Sequence, residues 1–161
     1  MRKGSRRGSS FDGYPYHLPM TAPRLYFENA LATISEHPDG YAVFAYRASK
    51  RVRSDLQAAL THTGNLLLRR RWHRILGDQR LMEAASPEEH ALIADYWQHQ
   101  TKVLGHGICV ASILAQDVFA RLSATQLRGD LKAVNVGYRV FDDEVSAGKW
   151  LQEQTTCPPF K

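Results

Sequence analysis

Ser86-Pro87-Glu88-Glu89, then Leu92, Ile93, Tyr96, Trp97 and Gln100 as far as Gly105, then Ile108-Cys109-Val110-Ala111-Ser112-Ile113-Leu114-Ala115: this stretch decides the fold. Ser at an N-cap, Pro at the first helical position and Glu three residues after the cap make a capping box, so a helix begins at 87. The apolar residues behind it form one wide stripe at helical spacing, and Gly105 stops it. The run 108–115 is apolar at nearly every position, which suits a central strand covered on both faces. A capped helix feeding such a strand implies an α/β architecture.

Upstream, Arg74-Ile75-Leu76-Gly77-Asp78 reads as a short strand ending on a carboxylate. Before it, Val52, Leu56, Ala59, Leu60, Thr63 and Leu67 recur at helical spacing over roughly 50 to 69. Leu25-Tyr26-Phe27, Leu31-Ala32-Thr33-Ile34 and Tyr41-Ala42-Val43-Phe44-Ala45-Tyr46 are three opening strands, with the turn signal Pro38-Asp39-Gly40 before the last. Downstream, Asp117 caps a short helix containing Val118, Phe119 and Leu122, and residues 123 to 135 stay ambiguous between helix and loop. Tyr138-Arg139-Val140-Phe141 alternates as a strand, and Asp142-Asp143-Glu144 supplies acid for the first turn of a last helix with Val145, Ala147, Trp150 and Leu151. The expectation is one α/β domain over 24–153, a single mixed sheet of about six strands with about four helices. A mobile basic arm (1–20) precedes it and a short tail (154–161) follows.

The 161 residues are 43% hydrophobic and 10% aromatic, enough for a core, which excludes wholesale disorder and a disulfide miniprotein. No apolar run approaches 20 residues, which excludes a membrane-spanning helix. The net charge is +5, and the arm, with four basic residues against Asp12, carries +3 of it. Cys109 sits in an apolar stretch as a small hydrophobe and Cys157 precedes Pro158-Pro159, so no disulfide framework and no Cys-x-x-Cys pair is expected. The basic start lacks the apolar core of a signal peptide, and cytoplasmic residence is the default expectation.

The order of elements, the strand-ending Asp78 before a capped helix, and the closing Arg139-Val140-Phe141-Asp142-Asp143-Glu144 followed by Ala147-x-x-Trp150-Leu151 resemble bacterial STAS or SpoIIAA-like domains over 24–153. The resemblance implies a non-enzymatic interaction or regulatory domain that binds a protein partner through the surface around Asp78 to Tyr96. In the anti-sigma-factor antagonists of that family, a Ser at the corresponding helix start is a phosphorylation switch, which makes Asp78 and Ser86 candidate partner-surface or switch residues. The family's Asp-Ser-Ser-Gly run is absent, however, with Ala85 before the Ser and Pro87 after it. The alternative duties are plainer: Ser86 as an N-cap, and Asp78 holding loop amides or pairing with an Arg.

Arg69, Arg70, Arg71, Trp72 and Arg74 form the densest basic patch, and an interleaved Trp is what a nucleic-acid or anionic surface uses for stacking. The same residues end a helix, where cations offset the negative end of the macrodipole. His90 and His99 lie nine positions apart on one helix, hence on opposite faces, and cannot share a metal ion. Gly105-His106-Gly107 precedes a strand rather than following one, no Gly-x-Ser-x-Gly elbow exists, and Cys109 has no activating neighbour. No catalytic constellation, cofactor or metal is expected. A small-molecule or lipid pocket between sheet and helices is the third reading.

Overall fold

A computed structural model describes residues 22–157, so the proposed arm and the last four residues of the tail lie outside the described residues. The elements run β1 (Arg24–Glu28), β2 (Ala32–His37), β3 (Tyr41–Tyr46), α1 (Arg53–Arg70), β4 (Arg74–Asp78), α2 (Pro87–Leu104), β5 (Ile108–Ile113), α3 (Val118–Lys132), β6 (Val136–Phe141) and α4 (Glu144–Glu153). All six strands join one sheet in the order of the chain. The first three form an antiparallel meander, and β3 to β6 are parallel. The expected mixed α/β sheet is therefore what forms.

The meander follows from its turn chemistry. Gly40 adopts φ +85°, which a side chain would resist, and its N–H donates to His37 O at 3.0 Å, closing the hairpin between β2 and β3. Each parallel pair instead needs a crossover helix. Crossovers of one hand that all advance in one direction put their helices on one face, and α1, α2 and α3 share a face here. Their Leu56, Leu60, Leu67, Ile93, Trp97, Leu127 and Leu131 pack on Ile34, Phe44, Ile75, Ile108 and Val136 in the main core. The opposite face is covered by α4, whose Ala147 and Leu151 pack on Leu76, Cys109, Ala111 and Ile113. Alternation along β5 feeds both cores, which is why its sequence is apolar throughout.

Four expectations need correction. The strand β5 is covered on both faces but lies next to the edge, and β3 and β4 form the middle of the sheet. Cys109 and Cys157 are joined in a disulfide, 48 residues apart with Cα atoms 5.6 Å apart, because α4 folds back across the sheet and delivers the tail to the start of β5. The capping box is half made: Ser86 Oγ accepts from Glu89 N at 3.2 Å, but the Glu89 carboxylate turns to Arg51. The helix after Asp117 is also a full 15 residues, continuing through the ambiguous segment.

Candidate functional site

The parallel strands give the domain two distinct ends, and the two sets of residues singled out in the sequence fall at opposite ones. Asp78 and Ser86 flank the β4–α2 loop at the carboxyl end. Arg69 to Arg74 occupy the amino end, where α1 turns into β4.

At the carboxyl end the 79–86 loop is tied down along its length. Arg80 grips Asp78 with its backbone N–H (3.1 Å), Nε (3.0 Å) and Nη2 (2.7 Å). Burial pushes the Asp78 carboxyl up, yet those hydrogen bonds and the adjacent guanidinium outweigh it and hold the group below the usual carboxylate value. Gln79 N donates to Ile113 O, and Met82 is buried among Ala115, Ala120 and Ala124. Ser123 Oγ accepts from Ala85 N at 3.1 Å, donates to Ala85 O at 3.2 Å and lies 2.7 Å from His90 Nε2. Arg51, its side chain only 9% exposed, pairs with Glu89, donates to Glu83 O and lies over the Tyr46 ring. The start of α2 is thus locked in place, with Ser86 serving as its cap.

This end also leaves large apolar side chains in solvent. Leu81, Val118, Phe119, Leu122 and Val145 are 57%, 75%, 74%, 59% and 82% exposed. They come from the β4–α2 loop and the starts of α3 and α4, all of which follow carboxyl ends of parallel strands. Glu83, Asp117, Asp142, Asp143 and Glu144, in the same loops and helix starts, are exposed as well. Of the cations at this end, Arg80 is engaged with Asp78 and Arg121 Nε donates to Ala115 O at 2.6 Å, while Lys50 and Arg53 after β3 are exposed. This surface was missed in the sequence, where Val118, Phe119 and Leu122 read as the apolar content of a helix. The signal was present: Ala120, Ala124, Leu127 and Leu131 define the buried stripe of α3, and the other three lie off it.

At the amino end the basic cluster is dispersed. Arg70 Nε donates to Glu36 Oε1 at 2.6 Å and its guanidinium stands 5.9 Å from the Trp72 ring. Trp72 is half-buried against the main core. Arg74 reaches beneath α4 to Leu151 O (2.9 Å) and to Asp39 O and Gly40 O (both 3.3 Å). Arg69 and Arg71 remain exposed, the latter closing α1 in the left-handed conformation at φ 57°.

Between the sheet and α1–α3 lies a cavity of about 60 Å³ with apolar walls and three polar members, Gln79, Ser112 and Tyr138. Gln79 Nε2 donates to Tyr138 OH at 2.9 Å, and burial pushes the Tyr138 hydroxyl up, so it stays neutral. Ser112 Oγ, 1% exposed, has no partner among the described residues. The volume suits a few waters, one of which would satisfy Ser112. An acyl chain would require the helices to move away from the sheet. Among the described residues no group of three metal-ligating side chains gathers, and no helix is long and apolar enough to cross a membrane.

No family model, curated protein or solved structure matches this chain, so the class it belongs to is defined by architecture alone: a mixed six-stranded α/β sheet with three helices on one face and one on the other.

Proposed function

We propose that the chain is a non-enzymatic, STAS-like interaction domain that binds a protein partner at the carboxyl end of its parallel strands, and that the contacting segment of the partner is amphipathic and basic. The observation that carries this reading is the set of five large apolar side chains left in water at one end of the sheet. Burying each would contribute about 1.5–3 kcal/mol, and exposed apolar surface gathered in one region marks an interaction site. Exposed Glu83, Asp117, Asp142, Asp143 and Glu144, carried by the same loops and helix starts, favour a basic occupant and oppose nucleic acid there. The surface overlaps the Asp78-to-Tyr96 region expected from the sequence and extends it to α3 and α4.

The test uses two labelled amphipathic helical peptides of matched apolar face, one with Lys and one with Glu on the polar face, titrated onto the full chain. The Lys peptide should bind, and the double substitution Phe119→Ser with Leu122→Ser should weaken it at least tenfold. Arg69→Ser with Arg71→Ser should leave it unchanged. Equal affinity for both peptides, or loss in the arginine variant alone, defeats the reading. Salt-sensitive oligonucleotide binding that disappears in the arginine variant would instead establish the basic-patch alternative.

A further inference from the structure

We infer that Cys109–Cys157 is a redox-operated clasp that holds the segment after α4 against the amino end of β4 and β5, and that its reduction releases that segment while the domain stays folded. The two half-cystines are held very differently. Cys109 belongs to the sheet: its N–H donates to His73 O at 2.8 Å, it pairs with Arg74 and Gly137 on either side, and it is 4% exposed. Cys157 packs at the rim of the smaller core, 9% exposed, at the end of a segment that belongs to no helix or strand. Thr155 and Thr156 are exposed; Gln154 is tied to the end of α4 through its N–H on Leu151 O (3.1 Å) and its Nε2 on Trp150 O (3.2 Å) and accepts from His73 Nε2 (3.0 Å), and beyond it Cys157 Sγ touches His73 O at 3.6 Å.

The segment nevertheless lies directly on the sheet. A Cβ at Gly107 would come within 2.7 Å of Cys157 O, so only glycine lets the tail backbone approach the start of β5 this closely. The α4 helix has its own anchors, with Ala147 and Leu151 both fully buried and Arg74 on Leu151 O. Breaking the bridge therefore removes the main restraint on 155–157 and leaves α4 seated, since segments with few contacts open locally at low cost. Release would uncover Gly107 and His73 at the end of the sheet opposite the proposed docking surface, so the clasp stands independently of that reading.

Chemically, a thiolate of a dithiol reductant attacks the sulfur of Cys157, the more exposed of the two residues at 9%. The S–S bond breaks and Cys109 leaves as a thiolate that takes a proton. The reductant's second thiol then attacks its own sulfur in the mixed disulfide, freeing Cys157 as a thiolate that is protonated in turn. Two electrons and two protons pass to the protein, and the reductant ends as a disulfide.

The experiment is performed on the full, isotope-labelled chain with dithiothreitol as the reductant. Before reduction, neither cysteine should react with iodoacetamide; after it, both should. Backbone order parameters for Thr155 to Cys157 should fall from rigid values near 0.85 to below about 0.6, while those of Ile75 and Leu76 stay unchanged. Cys157→Ser should show the released state with or without reductant, which separates the bridge from side effects of the thiol. Three results would overturn the clasp: both cysteines alkylating after incubation with oxidised glutathione, order parameters at 155–157 that ignore reduction, or global unfolding on reduction.

Discussion

At the amino end of the parallel strands Arg70 and Arg74 are turned on the chain itself, whereas at the carboxyl end Arg80 and Ser123 fix a loop and five large apolar side chains, all more than half exposed, face water. Arg70 holds Glu36, and Arg74 holds the β2–β3 turn and the end of α4, with the disulfide beside them. Opposite, Arg80 and Ser123 pin the loop behind Asp78, and Leu81, Val118, Phe119, Leu122 and Val145 are left uncovered. The contrast teaches that a dense charge run is weak evidence for a binding face. Each long arginine can find its own acceptor once the backbone is folded, while an exposed Phe has no such way of being satisfied.

The contrast can be broken first at the amino end. Cys157→Ser should lower stability by about 4 kcal/mol, because the bridge closes a 48-residue interval of the unfolded chain, and denaturant melts of oxidised wild type against the variant measure it. Arg74→Met should cost about 2 kcal/mol, since it strips the carbonyls of Leu151, Asp39 and Gly40 of their shared donor. A loss no larger than that of Arg69→Met, which has no such role, would erase the distinction between bound and free arginines.

At the carboxyl end Ser86→Ala should cost about 1 kcal/mol through the lost cap, while Ser86→Asp keeps the cap and the favourable macrodipole and stays near wild type. If Ser86→Asp instead changes the affinity for the Lys peptide tenfold with unchanged melting, Ser86 belongs to the docking surface as the family resemblance implied.

Acid should reach the two ends at different points. Burial pushes the His37 ring below 6.5 against the opposing pull of Asp39 and Glu144. The folded state therefore binds fewer protons there than the unfolded chain, so its contribution is complete above pH 6.5 and is lost as pH falls from 6.5 toward the depressed value. Asp78, held below 3.8 by Arg80, contributes fully above 3.8 and loses that contribution only on further acidification. Melts from neutral to acid pH should show an early loss that His37→Gln removes and a later one, shared by Asp78 and the likewise depressed Asp143, that Asp78→Asn reduces. The smallest stability effect belongs to Phe119→Ser and Leu122→Ser, each within about 0.5 kcal/mol of wild type because neither side chain is packed. A larger loss would mean that these side chains are part of the core.

Sequence alone located the six strands and the starts of α2, α3 and α4, though not the extent of α3. Ser86 and Asp117 cap the helices they precede, Gly105 closes α2 at φ 78°, and Arg74–Asp78 is the strand its pattern announced, while Asp143, read as acid for a first turn, is the cap of α4. These are local effects: a cap acts within three residues, and burial periodicity is written into each segment. Tertiary structure decided the sheet order that puts β5 beside the edge, the Arg51–Glu89 pair across 38 residues, the disulfide, and which apolar residues of α3 stay in water. Each depends on which neighbour the sheet brings opposite a residue, and that follows from strand register and from α4 folding back, which no single segment encodes.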